Sequence, residues 1–375
     1  MTAPPVPQPL CVDGSVTVYR LYDIGYAIAL DRAADLLGER TRVRPSRLEA
    51  RAIEIRNPPL RARVTDVDLT VGDRVLRAAV SAHLFDFGVC SLQLAVTAPR
   101  SLDWAAFAAF AAAVDNHATL PAVFDRALQE LAARIAPAIE RAEIAPLSEA
   151  YTICRVDRLV HSGAGGSASE LLGDEAVATL LLGDGARLSA GARADLMPHR
   201  FSYYDDDLTV LTWESALVVE PRSDDRDVEY ILEFANAQLL ELRMYDQRLD
   251  ADLPALYDRA EAARARRSPR LAGRFRALLT DLQTRVADIT ETVERVENAL
   301  KVTDDVYLAR VYAAALDVFR EEAWRSGIDR KLAILRETYA MLNAEAQTAR
   351  AELLEIAVVA LIVIELVVGV LRGSH

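Results

Sequence analysis

Cysteine is scarce. Cys11, Cys90 and Cys154 stand far apart with no C-x-x-C pair, which argues against a zinc site or a redox dithiol and fits a reduced, cytosol-facing environment. Positive charge is also in short supply: 43 Lys and Arg face 56 Asp and Glu, a formal net charge of −13. A general nucleic-acid binder needs a dominant positive field, so that class is disfavoured, a local basic patch excepted. The opening MTAPPVPQPLCVDG lacks both the basic-then-apolar order of a secretory signal and the Arg-rich amphipathic character of a transit peptide. It reads as a short Pro-stiffened tail, residues 1–14. H-E-x-x-H, a nucleophile elbow, a Walker loop and G-x-G-x-x-G are all missing, so no catalytic residue, cofactor or metal is expected.

Glycine and proline are absent between Gly327 and Gly369, and nothing there breaks a helix. Ile328, Leu332, Leu335, Tyr339, Leu342, Ala346 and Ala349 step by four and three, which predicts a heptad seam against another helix. From Leu353 through Ile356, Leu361 and Glu365 to Leu371 the apolar character spreads to nearly every face. That stretch has about the length a bilayer requires and predicts a C-terminal transmembrane helix, a tail anchor, with Glu365 its costliest residue.

The hydrophobic fraction of 52% and charged fraction of 26% are those of a folded chain, and the length suggests more than one region. Strands are expected from Val16 to Ile28 and through Leu60 to Val96, with a turn at Gly72-Asp73. Helices are expected over Asp31–Leu37, Asp103–Asn116, Pro121–Arg141 and Glu170–Leu182. The segment RFSYYDDDLTVLTWESALVVEP suggests a hairpin around Asp205–Asp207. Strands and helices without regular alternation favour an α+β class over a doubly wound sheet. The expected order is an α+β cytosolic domain over 15–222, a helical or coiled-coil hairpin or bundle over 223–352 and the membrane helix over 353–371. A fresh helix is expected from Asp304 to Arg325, turning back near Gly327.

Other candidate chemistry is thin. Asp86-Phe87-Gly88 spells the kinase magnesium triplet without its companion motifs and suits a buried strand with a tight turn. The Gly163–Gly166 loop and the Asp205–Asp207 acids lack the spacing of phosphate and calcium loops. His83, His117, His161 and His199 are scattered. The basic run Arg264, Arg266, Arg267, Arg270 and Arg274 suits RNA, an acidic partner or anionic headgroups, or a solvated loop.

The segments VEYILEFANAQLLELRMYDQRLD, RVENALKVTDDVYLARVYAAALDVF and WRSGIDRKLAILRETYAMLNAEAQTARAELLEIAVVALIVIELVV carry a resemblance. In their order, and in the acid within the terminal apolar stretch, the chain resembles the family named for yeast "required for meiotic nuclear division", in a bacterial-type form. The resemblance implies a membrane-anchored protein of a domain of unknown function, without established catalysis, with relatives linked to organelle translation. The expectation is a scaffold or interaction protein of the bacterial inner membrane, a homo-oligomer meeting a soluble protein partner. An RNA- or ribosome-proximal membrane tether using the Arg264–Arg276 loop and an enzyme with a pocket between the α+β domain and the helices are the alternatives.

Overall fold

The computed structural model describes residues 10–38, 41–42, 53–55, 57–160, 167–183, 189, 191, 197, 199–221, 226–265, 280, 283–284, 286–287, 289–291, 294, 300–302 and 305–373. The chain is a mixed α+β fold that forms two compact units, Met1–Met244 with Arg295–Glu322, and Tyr245–Glu294 with Ala323–His375.

The first unit is built on a 9-stranded sheet. Strand β1 (Cys11–Asp23) begins before the expected position and lies in the middle of it. The short β2 (Ala27–Ile28) and α1 (Leu30–Leu37) follow. Asp31 does not cap α1; it pairs with Arg42. Next come β3 (Ile53–Ile55), β4 (Leu60–Val71), β5 (Arg74–Leu84) and β6 (Val89–Thr97). Val71 faces Arg74 across the Gly72-Asp73 turn, where Gly72 takes a φ of 64° that suits glycine. Strand β7 (Leu102–Asp103) leads into α2 (Trp104–Asp115), whose first turn is capped by the Asp103 carboxylate accepting from the Ala106 amide at 2.7 Å. Helix α3 (Leu120–Ile135) ends sooner than the periodicity suggests, because Pro137 redirects the chain through a 3-10 turn into β8 (Ile139–Glu140).

Strand β9 (Ser148–Val160) pairs antiparallel with β1, placing Val16 between Val96 of β6 and Cys154 of β9. The helical stretch after it divides into α4 (Ala168–Leu171) and α5 (Asp174–Leu182) at Gly173. Then β10 (Arg200–Phe201), β11 (Leu208–Leu211) and β12 (Ser215–Val219) make two successive antiparallel pairings, and β12 runs parallel beside β9. Alternation sorts the side chains of the sheet. Val16 and Val18 of β1, Leu92 and Leu94 of β6, and Cys154 and Val156 of β9 belong to one apolar core with Phe107, Val114, Phe124 and Leu131 of α2 and α3. The opposite face meets the first half of α6 (Asp227–Ala265), through contacts described below. Strand β13 (Leu300–Val302) pairs with β3. Helix α7 (Val306–Val318) starts at Asp305, whose carboxylate accepts from the Tyr307 and Leu308 amides, each at 2.9 Å.

The second unit holds the rest of α6 and nearly all of α8 (Glu321–Gly373). The chain does not turn back at Gly327. The break lies earlier, at Arg320 with a φ of 53°, and α8 runs on through Gly327. A Cβ on Gly327 would meet Asp246 Oδ1 at 3.2 Å, so the missing side chain lets the carboxylate approach. Lys331, one turn on, donates to Asp246 Oδ1 at 2.7 Å and pairs with Asp250 Oδ1 at 2.6 Å. Burial lowers the Lys331 pKa, but the bonds to Asp246 and Asp250 outweigh it and raise the pKa above the ordinary value.

The expectation of a membrane helix is overturned. Among the described residues no helix is long and apolar enough to cross a membrane. The terminal transmembrane helix, the tail anchor, the membrane as a partner through that helix and the bacterial inner-membrane location lose their support with it.

Candidate functional site

Helix α6 carries Glu229 and Glu233 one turn apart in the stretch VEYILEFANA, and both are buried. Such acids survive burial only where the facing element supplies donors. The sheet does so. Arg155 of β9 donates from a terminal nitrogen to Glu229 Oε1 at 2.8 Å and through Nε to Asp157 Oδ1 at 2.6 Å. Burial opposes the Arg155 charge, yet Glu229 and Asp157 hold its pKa above the usual value. Glu229 Oε2 has no hydrogen-bond partner among the described residues.

Glu233 receives the second set of donors. Gln93 Nε2 of β6 donates to Glu233 Oε1 at 2.7 Å, and His83 Nδ1 of β5 lies 2.7 Å from Glu233 Oε2. Gln93 Nε2 also lies 2.6 Å from His83 Nδ1, so the three side chains contact one another. Tyr19 of β1 stands beside them; burial first, then Glu233 and Glu229, push its phenol well above the ordinary pKa. Around this polar centre the packing is aromatic. Phe234 of α6 meets Phe85 at 5.4 Å and Phe87 at 5.9 Å between ring centroids, contacts that stabilise by ~1 kcal/mol each beyond burial. The centre is closed to solvent.

An open groove lies on the other side of the sheet, where α3 and the Ile144–Ser148 segment flank the end of β1. Its volume is about 490 Å³. Arg20 and Tyr22 share its floor by strand alternation, and Ser148 sits opposite Tyr22 in register. Asp125 and Gln129, one turn apart on α3, form a wall with Leu128. Among the described residues Arg20, Asp125, Gln129 and Ser148 make no side-chain hydrogen bond or ion pair. Burial, then Asp125, raise the Tyr22 phenol to about 12 against the pull of Arg20. A smaller depression of about 270 Å³ lies beside Trp213, lined by Asp115, Thr152, Cys154 and Ser215. Its polar groups are already engaged: Thr152 donates to Asp115, and Ser215 Oγ donates to the Leu181 carbonyl at 2.8 Å.

Of the residues singled out from the sequence, His83 and Phe87 belong to the buried centre. Ile328, Leu332 and Leu335 of the seam are buried and Tyr339 is half-buried, its hydroxyl accepting from Gln283 Nε2 at 2.7 Å. The side chains of Leu342, Ala346, Ala349, Leu353 and Leu371 lie outside the described residues, whereas Ile356, Leu361 and Glu365 are exposed. Arg266, Arg267, Arg270 and Arg274 also lie outside them, as do the Arg264 side chain, His161 and the Gly163–Gly166 loop. Asp86-Phe87-Gly88 forms the turn between β5 and β6: Gly88 takes a φ of 103° against the Gly25 carbonyl, and Asp86 accepts from Asn57 at 2.6 Å. Asp207 folds back onto the Tyr203 amide at 2.7 Å. His117 lies 3.1 Å from the Thr70 carbonyl and His199 3.7 Å from Asp317. Among the described residues no cluster of His, Cys, Asp and Glu could hold a metal.

Glu229 and Glu233 escape a reading of α6 as amphipathic, since that reading leaves them on a solvated face. The signal that finds them is their one-turn spacing around Tyr230, Ile231 and Leu232, together with the polar Tyr19, His83 and Gln93 on the facing strands.

A polar-locked sheet with helices on both faces defines a mixed α+β chain, and comparison with known proteins places it. The family described as "Uncharacterized protein MJ0711, N-terminal domain" matches residues 13–225. That is more than half of the chain, and the chain belongs to this family. It is similar to "Uncharacterized protein MJ0711" of Methanocaldococcus jannaschii, at 23% identity over 180 residues, covering 48% of the chain and 53% of the relative. The chain thus spans about half the length of the curated relative it matches. No solved structure matches. A domain of unknown function is shown, whereas the meiotic nuclear division family is not what the comparisons return.

Proposed function

We propose that the protein is an interaction protein that gathers copies of itself through α8. The observation that carries the reading is the surface of that helix. Leu354, Ile356, Leu361 and Leu366 are each between 64% and 67% exposed, and Val358, Val359, Ile362, Val363 and Ile364 are exposed between them. Consecutive positions point to every side of a helix, so a single groove could not cover this surface. A contiguous exposed apolar patch of this kind marks an association surface. Like helices from further copies cover all sides at once, and the seam beginning at Ile328 on the same helix has the step that helix pairing uses. The resemblance of the helical segments to the meiotic nuclear division family, whose members have no established catalysis, is in keeping with this role.

The test compares the mass of the full chain with that of a chain ending at Glu352, by light scattering. The expected result is a defined oligomer for the first and a smaller species for the second. Ile362→Cys in the full chain, oxidised in intact expressing cells, should give a cross-linked dimer that the parent chain does not. Equal masses together with no Ile362→Cys cross-link would overturn the proposal.

A further inference from the structure

The groove at the end of β1 has a feature that the buried centre and the Trp213 depression lack: its polar groups are unused. Arg20 presents a planar fork of five N–H donors and meets no acceptor among the described residues. A half-buried guanidinium in that condition is prepared for a carboxylate, which it can hold through two parallel bonds. The groups around it agree. The Tyr22 phenol stays protonated at neutral pH and donates, and the Ser148 hydroxyl and Gln129 amide donate from either side. Asp125 breaks the pattern. It adds a negative charge on the α3 wall, close enough to Tyr22 to act on its titration and unpaired with Arg20. An anion alone would be repelled by Asp125, and a cation alone by Arg20. A molecule carrying both charges satisfies each of them.

We infer that this groove binds a small zwitterion of the amino-acid class, with its carboxylate on Arg20 and its ammonium on Asp125. The remaining lining is apolar, with Leu128 and Ile144 placed to receive a side chain. A volume of about 490 Å³ lies within the roughly 300–1,000 Å³ of small-molecule sites. The inference rests on the first unit alone and is independent of self-association through α8.

Titration calorimetry on the full chain tests it, with each standard amino acid as probe and acetate and ethylammonium as the separate halves. The expected result is saturable binding of at least one amino acid, with each half weaker by tenfold or more. Arg20→Gln and Asp125→Asn should each weaken that binding by tenfold or more. Asp125 is exposed, so its change leaves the fold intact and serves where Arg20→Gln disturbs β1. No heat with any amino acid would overturn the inference. Acetate binding as tightly as the best amino acid, or binding unaffected by Asp125→Asn, would overturn it equally.

Discussion

His83 Nδ1 on β5 and Glu233 Oε2 on α6 meet at 2.7 Å across 150 positions of sequence. Both side chains are buried, and Gln93 closes the triangle from β6. Glu233→Ala should leave His83 and Gln93 without their acceptor and cost ~1–3 kcal/mol. The double change His83→Phe with Glu233→Leu removes donor and acceptor together and should cost less than the sum of the singles. Urea unfolding of the parent, His83→Phe, Glu233→Leu and the double variant measures the coupling; strict additivity would show that the pair contributes nothing of its own.

Arg155 and Glu229 form the second buried pair, with each side chain 3% exposed. Arg155→Met removes the buried partner of Glu229, leaving Arg226 at 3.8 Å from the same oxygen, and should destabilise by up to ~3–5 kcal/mol. Adding Glu229→Met should recover a large part of that loss, because an apolar pair of similar volume needs no charge compensation. Denaturation midpoints of the two variants against the parent chain give the answer.

The thiols should divide by position. Burial, with Glu233 in one case and Asp115 in the other, raises Cys90 and Cys154 to about 12 each. Cys11 is partly accessible at the start of β1. A disulfide reagent at neutral pH should modify Cys11 first and reach the others only as the protein unfolds. Prompt labelling of all of them would contradict the packing around β6 and β9.

Glu149 offers a pH test. Burial raises its pKa above the ordinary 4.5, with Arg243 pulling the other way. The folded state therefore holds this proton more tightly than the unfolded state. Its contribution to stability is fully present below the unfolded value and is lost as pH rises through the higher folded value. Glu149→Gln should gain stability relative to the parent as pH is raised from about 4 to about 7. A pH-independent difference between the two would remove Glu149 from the account.

Much of the sheet is legible in the alternation of its strands. The Gly72-Asp73 turn, the Asp103 cap of α2 and the turn at Gly88 follow from local chemistry that a few residues decide. What is not legible depends on partners far away in sequence. Glu229 and Glu233 look solvated until Arg155, His83 and Gln93 are brought over them. Gly327 looks like a helix end, yet α8 continues through it, because the approach of Asp246 makes a bare position useful there. The groove residues Arg20, Asp125 and Ser148 come from three elements whose nearness only the pairing of β1 with β9 and the placement of α3 reveal. The stretch from Leu353 to Leu371 predicts a membrane helix only because hydrophobicity alone does not distinguish lipid from other coverings.

The central place of β1 bears on how the chain comes together during synthesis. Its Val16 needs Val96 on one side and Cys154 on the other, so this early strand has no complete set of neighbours until β9 has left the ribosome. Pairings so distant in sequence close large loops and fold slowly. The parallel seam between β9 and β12 must wait longer still. During that interval the Val16 and Val18 side of β1 stays bare, and this segment is where a folding chaperone would find its grip.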